Sequence, residues 1–254
     1  MIESFYERMA IPDTCHLGKR VFKKLFHENA KLGVTDKKAL RDDIDVITWQ
    51  YTLKPSTIPI NAYEDEQRDY PEIAFLQVDL KTLNRTKRLA EVIHRAIPYP
   101  LVVVFVYQAS CAMSLAHKRF SQAEKGAIVA EDIIISDWIS IFDPTPVQWA
   151  FLNSLYIPDL PHTHYWALYT AFMDRLIALS CAMFTGEYRL DTTATKRKDR
   201  RVQLLACHEL EIQIEVYKAE IKKETQFNRK VELNMKFKML EQQLAQTITR
   251  LKQI

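Results

Sequence analysis

Glycine and proline are absent from the last 68 residues of the chain, 187–254, although the residues before them contain all four glycines and all ten prolines. These two residue types interrupt helices more reliably than any others, so a segment without them can form one long helix or two. The segment also carries a basic run near its start and regularly spaced Leu and Ile near its end. We therefore predict a long C-terminal helical arm, a structure that usually serves to contact another molecule.

Other patterns that would identify a reaction are missing as well. The four cysteines form neither a CxxC pair nor a Cys/His cluster of zinc-binding spacing; they are Cys15, Cys111, Cys181 and Cys207. This usage argues against a structural metal and indicates a reduced, cytoplasmic compartment. The sequence contains no G-x-x-x-x-G-K or G-x-G-x-x-G loop and no apolar signal segment at its N-terminus. We therefore expect no cofactor, with Mg²⁺ as the one exception if the chain is a nuclease.

The net charge of +3 is unevenly distributed, because residues 1–194 contain 21 Lys/Arg and 24 Asp/Glu whereas residues 195–254 contain 14 and 8. A basic arm on a mildly acidic body is compatible with nucleic acid or an acidic protein surface as partner. A solvated linker is the equally weighted alternative. The candidate nucleic-acid contacts are five cations in one run: Lys196, Arg197, Lys198, Arg200 and Arg201.

If each of these five cations neutralises a phosphate of duplex DNA, the logarithm of affinity should fall against the logarithm of salt with a slope of about −4 to −5. No aromatic residue interrupts the run. Base stacking and sequence recognition are therefore not expected there, and the contribution would be positioning alone.

Hydrophobic periodicity predicts an α/β or α+β domain with a mixed sheet over residues 1–143. Two helices, at 15–30 and 35–43, come first. A further helix at 84–96 is expected among strands at 44–55, near 58, and at 72–81, 101–107, 113–118 and 133–135.

The prolines at 144 and 146 mark a boundary, and a helical segment with helices at 147–156 and 165–185 is expected over residues 144–190. Its most apolar stretch, residues 166–184, carries Asp174 and Arg175 at its centre. Because a membrane-spanning helix rarely tolerates both charges, we interpret this stretch as a buried helix of a soluble protein and expect no membrane contact.

Residues 191–254 are interpreted as a basic linker followed by the helical arm. Two stretches of the arm have apolar residues at heptad spacing: Cys207, Leu210, Ile214, Tyr217 and Ile221, then Phe237, Leu240, Leu244, Thr247, Leu251 and Ile254. The phase breaks at residues 222–229, which predicts either a stutter in one helix or a hairpin of two. These seams could form a coiled coil with a second copy or an internal packing face.

Four segments carry a resemblance to a known family. They are Ile47-Thr48-Trp49-Gln50-Tyr51-Thr52-Leu53-Lys54-Pro55, the strand at 71–81, Ala96-Ile97-Pro98-Tyr99-Pro100, and Ser114-Leu115-Ala116-His117-Lys118. Their order and content resemble the bacterial family catalogued as domain of unknown function 4391, over roughly residues 13–254 and most strongly over 44–120. The resemblance implies a restriction-associated or anti-phage context, since members tend to be encoded beside helicases and DNA methyltransferases. It supplies no catalytic residues.

The leading interpretation is an accessory, partner-binding subunit of a bacterial restriction-like or anti-phage defence system. Its partner would be a helicase or a DNA methyltransferase subunit, with a second copy of the chain as another candidate for the arm and DNA as a candidate for the basic run. The family resemblance, the heptad seams and the lack of a complete active site in the sequence favour this role over an enzymatic one.

The alternative is a Mg²⁺-dependent DNA nuclease of the type that uses an acid and an acid-x-lysine on adjacent strands. Asp79 and Lys81 supply the acid-x-lysine pair at the end of a predicted strand. Carboxylates hold a hard cation, and a lysine can orient the attacking water or stabilise charge on phosphate. The second carboxylate is expected from the acidic loop upstream, which offers Glu64, Asp65, Glu66 and Asp69.

Overall fold

The structure, a computed structural model, describes residues 2–29, 32–124 and 126–254. The chain divides into two compact units, Met1–Leu176 and Ile177–Ile254. The division falls inside the long apolar helix that the sequence predicts at 165–185.

A mixed sheet of seven strands forms the centre of the first unit. Its order is β1-β2-β5-β6-β7-β10, with β11 also paired to β7; β5 and β6 are parallel and the other pairs antiparallel. Two small hairpins, β3-β4 and β8-β9, lie outside this sheet. The strands are β1 (His16–Arg20), β2 (Ile44–Leu53), β3 (Tyr63–Glu64), β4 (Asp69–Tyr70), β5 (Ile73–Leu80), β6 (Leu101–Tyr107), β7 (Ser110–Leu115), β8 (Lys118–Phe120), β9 (Ile128–Ala130), β10 (Ile134–Ile135) and β11 (Ile139–Ser140).

The helices of the described residues are α1 (Glu3–Met9), α2 (Lys24–Asn29), α3 (Val34–Asp42), α4 (Thr86–Ala96), α5 (Pro146–Ser154), α6 (Tyr165–Thr185), α7 (Ala194–Lys223) and α8 (Phe227–Gln253). Helices of the first unit cover both faces of its sheet. On one face, Leu40 of α3 and Leu89 of α4 belong to the same buried cluster as Leu76 of β5. On the other face, Phe172 of α6 meets Phe75 of β5 edge-on at 6.0 Å. These two layers bury the central strand β5, whereas the edge strand β1 is exposed along its length.

Two ion pairs fix α3 and α4 to each other, one between residues within the helices and one between Asp43 and Arg85, which directly flank them. Asp36 accepts two hydrogen bonds from Arg88, at 2.6 and 2.9 Å, and Asp43 accepts two from Arg85, at 2.6 and 2.7 Å. Both carboxylates are buried, and a two-pronged guanidinium–carboxylate pair fixes orientation as well as distance. The start of β2, which follows Asp43, is therefore held firmly against the end of β5.

The predicted helix at 15–30 is wrong over its first half. Residues 16–20 form the edge strand β1, and only Lys24–Asn29 is helical. Gly18 has a φ of +60° and lies at a register shift between His16 and Lys19, so the backbone forms a β-bulge instead of a helical turn. Residue 30 lies outside the described residues. The strand suggested near Ile58 is a turn, and the other elements predicted up to residue 185 are confirmed within a few residues at each end.

Among the described residues, one helix is long and apolar enough to cross a membrane: α6, with a mean hydropathy of 1.3. However, 61% of its most apolar window is buried inside the fold. In the first unit, the Tyr169 hydroxyl bonds the backbone of β6 and of the residue after β7, and Arg175 donates to the Ser154 carbonyl. This is the environment of a core helix in a soluble protein.

The second unit is a helical hairpin packed with the end of α6. Leu204 and Cys207, near the start of α7, share a buried cluster with Leu251, near the end of α8, so the two helices are antiparallel. Residues 224–226 connect them, which decides the choice between a stutter and a hairpin in favour of the hairpin. The predicted heptad seams face each other within this hairpin; a coiled coil with a second copy stays a prediction.

We predict that Tyr169→Phe lowers the stability of the first unit. The Tyr169 hydroxyl accepts from the Ala116 amide at 3.0 Å and donates to the Leu101 carbonyl at 2.7 Å, and its removal leaves a buried amide without a partner. The loss should be about 1–3 kcal/mol, or roughly 3–10 °C in thermal midpoint. Circular dichroism melting measures it. Tyr156→Phe, at a well-exposed tyrosine, is the control, and equal midpoints for the two variants would contradict the prediction.

Candidate active site at the end of strands β2 and β5

Two carboxylates and a lysine lie together where β2 begins and β5 ends. Asp79 is the second-last residue of β5, and Lys81 follows the strand. Asp79 pairs with Val46 of β2, the neighbour of Asp45. The Lys81 Nζ lies 3.9 Å from Asp45 Oδ1. The acid-x-lysine pair predicted from sequence therefore has a second acid beside it, on the adjacent antiparallel strand.

A β-bulge places Asp45 in this position. Ile44 pairs with Leu80 and Val46 pairs with Asp79, so Asp45 is an extra residue opposite two consecutive residues of β5. A second register shift, between Trp49 and Tyr51, makes Gln50 the extra residue further along β2. Bulges re-aim side chains and are over-represented next to active sites. Here both bulged residues are polar, and both take part in the site.

Gln50 and Gln77 form a relay that orients Asp79. Gln50 Nε2 donates to Gln77 Oε1 at 2.9 Å, and Gln77 Nε2 donates to both carboxylate oxygens of Asp79, at 2.9 and 3.2 Å. Gln77 is buried in the sheet face, so its rotamer is fixed by packing. The relay holds the Asp79 carboxylate against Gln77, with both carboxylate oxygens within hydrogen-bond distance of the same amide nitrogen.

Burial raises the pKa of the Asp79 carboxyl above its ordinary value, and the nearby Asp45 charge raises it further, while the hydrogen bond from Gln77 opposes the rise. Keeping Asp79 ionised at neutral pH therefore costs free energy in the folded protein. A cation or a cationic group at this point would lower that cost. Pairs of carboxylates in such surroundings are typical of functional sites.

The acidic loop that the sequence offered for the second carboxylate lies elsewhere. Glu64, Asp65 and Asp69 belong to the β3-β4 hairpin or its turn, which precedes the first residue of β5. Asp79 lies six residues further along β5 than Ile73, or about 20 Å at the rise of a strand. Asp65 is already occupied, since it accepts from the Tyr63 hydroxyl at 2.8 Å and from two backbone amides. The neighbouring acid is instead Asp45.

In the described residues, no group of three or more His, Cys, Asp or Glu is placed to hold a metal ion. The donor set at this site is two carboxylates, Asp45 and Asp79. That set fits Mg²⁺, which keeps several waters and is commonly bound through one or two carboxylates plus substrate phosphates.

The basic run lies in the first turns of α7, which begins at Ala194. Lys196 and Lys198 are exposed, whereas Arg197 and Arg201 are half-buried. Arg200 is 2% exposed and donates to the Arg189 carbonyl at 2.7 Å and to Asp191 at 3.2 Å. Arg200 therefore stabilises the second unit, and contact of the basic run with phosphates stays a prediction.

The comparisons with known proteins identify a family. The model of a family described as a domain of unknown function (DUF4391) matches residues 9–244. No curated protein and no solved structure matches the chain.

We predict that Asp79→Asn raises the thermal midpoint at neutral pH. An acid with a raised folded-state pKa favours the folded protein below its ordinary pKa, and that advantage is lost as pH rises through the raised value. The variant should melt above the wild type at pH 7, and the difference should vanish below about pH 4, where both are uncharged. Melting curves across this pH range measure it, with Asp137→Asn at an exposed carboxylate as control. A lower midpoint for Asp79→Asn at pH 7 would refute it.

Proposed function

We propose that this chain, which belongs to the DUF4391 family, is a magnesium-dependent DNA nuclease with Asp45, Asp79 and Lys81 at its centre. The observation that carries the proposal is the bulged Asp45, which adds the missing acid beside the acid-x-lysine pair on the adjacent strand. A nuclease of this type needs these three groups on two neighbouring strands, and the position of Asp45, Asp79 and Lys81 where β2 begins and β5 ends supports the proposal.

Each group has a role that its surroundings support. The Asp45 and Asp79 carboxylates would hold the cation, and Gln77 would keep Asp79 in the orientation that this requires. Lys81 is half-exposed at the strand end, where its ammonium can approach a phosphate or the attacking water. When bound, Mg²⁺ would neutralise charge on the phosphate and lower the pKa of a coordinated water.

The biological setting is proposed from the family resemblance alone. It favours a cytoplasmic, restriction-like or anti-phage defence system in which the nuclease acts with a helicase or a DNA methyltransferase. DNA is proposed as the substrate on the same basis.

We expect the purified chain to cleave DNA in Mg²⁺ or Mn²⁺, and Asp45→Asn, Asp79→Asn and Lys81→Met each to lower the rate at least ~100-fold, as the loss of an electrostatic group at a reacting phosphate does. Plasmid and single-stranded circular DNA are the substrates, and gel electrophoresis follows their cleavage.

The matched controls are Glu66→Gln in the acidic loop and Lys54→Met just beyond the far end of β2. Both should retain the wild-type rate. Absence of cleavage by the wild-type chain on both substrates, or full activity of Asp79→Asn, would contradict the nuclease proposal.

A second candidate function, the accessory partner-binding subunit, is favoured by the surface of the α7-α8 hairpin. Ile212 and Val216 of α7 line a groove of about 920 Å³ with Leu244 and Ile248 of α8. Apolar side chains that are 43–78% exposed extend along both helices: Val202, Leu205, Ile212, Val216, Phe227, Val231, Met235 and Met239. Exposed apolar surface of this extent is typical of a protein–protein interface. On this proposal the hairpin binds the helicase or methyltransferase subunit.

We predict that Ile212→Glu with Val216→Glu abolishes co-purification of that partner when the chain is expressed with its neighbouring genes, because two charges would be buried in the interface. Both side chains are exposed in the free chain, so its melting temperature should change little. Gln213→Glu with Gln242→Glu adds the same charge at other exposed positions and should leave the complex intact. Loss of the complex with both double variants, or with neither, would count against the hairpin as the docking surface.

A further inference from the structure

A basic cleft adjoins the candidate active site on the side of the edge strand. It has a volume of about 350 Å³ and is lined by Arg20, Val21, Phe22, Lys23, Lys24, Asp45, Val46 and Ile47. Because Asp45 belongs to both the cleft and the candidate site, a molecule in the cleft would contact one of the two carboxylates of that site.

The segment that forms the outer wall of this cleft is fixed at two points. The Val21 amide donates to the Ile47 carbonyl at 2.8 Å, and the Lys23 Nζ donates to the Ile44 carbonyl at 2.6 Å. Phe22 lies between these two anchors. Its side chain is nevertheless 67% exposed, so an aromatic ring is held in solvent at a defined place beside the site.

Cations outnumber acids around the ring, since Arg20, Lys23 and Lys24 line the cleft with the single acid Asp45. Arg20 is exposed on β1, and Lys23 and Lys81 approach the same strand end. Burial lowers the pKa of Lys23, and the neighbouring Lys81 and Arg20 lower it further, while the charges of Asp45 and Asp42 oppose the shift.

An exposed aromatic ring among cations is the arrangement with which proteins hold single-stranded nucleic acid, since the ring stacks a base and the cations contact the backbone. The basic run of α7 has no interleaved aromatic residue. Duplex DNA keeps its bases stacked on one another, so it would make no use of Phe22.

We propose that the Arg20–Phe22–Lys23 cleft binds single-stranded DNA, with a base stacked on Phe22 and the adjoining phosphate directed toward Asp45. This inference rests on the proposed nuclease function and names its substrate: a single strand, such as an unpaired end or flap.

The test measures binding without cleavage. The full chain carrying Asp79→Asn, in EDTA, is titrated into fluorescein-labelled dT12 and into a 12-base-pair duplex, and fluorescence anisotropy gives the affinities. We expect tighter binding of dT12 than of the duplex. Phe22→Ala should weaken dT12 binding by roughly 5- to 150-fold, the effect of losing one base–aromatic stack. Arg20→Gln should reduce the salt slope on dT12 by about 0.7.

The controls remove an exposed phenylalanine ring and an exposed cation at other positions. Phe142 is 66% exposed, and Phe142→Ala should bind dT12 as the parent does, as should Lys54→Gln at an exposed lysine remote from the cleft. Circular dichroism confirms that all variants are folded. Equal dT12 affinities for Phe22→Ala and Phe142→Ala would overturn the inference, and so would tighter binding of the duplex.

Failure of this inference can be told apart from failure of the nuclease proposal. If the chain binds dT12 through Phe22 but never cleaves DNA, the nuclease proposal is wrong and the proposed binding site stands. If the chain cleaves DNA and Asp79→Asn abolishes the cleavage, yet Phe22→Ala leaves dT12 binding unchanged, the nuclease proposal stands and the proposed binding cleft is wrong.

Discussion

The antiparallel pairing of β2 with β5 is the constraint on which the rest of the candidate site depends. It places the start of one strand beside the end of the other, and the Lys81 amide continues it by donating to the Asp43 carbonyl at 2.7 Å. The Arg85–Asp43 pair holds this junction from the side of α4. A one-residue change in register would turn the side chains of β5 to the opposite face, which would bury Lys81 or Asp79 among the apolar residues of α3 and α4.

Most of the sheet could be predicted from the sequence because its strands are strongly patterned. The continuous apolar run at 101–107 became β6, and the strand ending in Asp79 and Lys81 became β5. Asp45 could not be assigned in the same way, since alternation along β2 says nothing about a bulge. The extra residue is recognised only when the residues of β2 are matched one by one to their partners on β5. The one signal in the sequence is the group of acids at 42, 43 and 45 directly before and within the strand.

The edge strand β1 and the C-terminal hairpin show two other limits. The helix predicted at 15–30 depends on the helical spacing of its apolar residues, Leu17, Val21, Phe22, Leu25 and Phe26. Of these five, only Phe26 is buried, and Leu17, Phe22 and Leu25 are exposed. Periodicity assumes that apolar residues face the core, and the edge strand β1, whose residues are all exposed, breaks that assumption. In the arm, the residues predicted at heptad spacing do form packing seams. Spacing alone, however, does not say whether a seam packs against the same chain or against another. Because the helix ends at residues 224–226 and the chain turns back, the two seams pack against each other within the same chain.

The free-energy balance at Asp79 favours a role for this carboxylate in binding a cation over a role in stabilising the fold. Its carboxylate is half-buried, it has a second acid nearby, and its direct partner is the neutral amide of Gln77 rather than a cation. The other two acids at this junction differ: Asp36 and Asp43 are each paired with an arginine, which lowers their pKa and stabilises the fold. Acids kept for stability have such partners, whereas an acid that is destabilised in the free protein gains when a cation arrives. Asp79 is of the second kind, and the Gln50–Gln77 relay is consistent with this, because it orients the carboxylate without neutralising it.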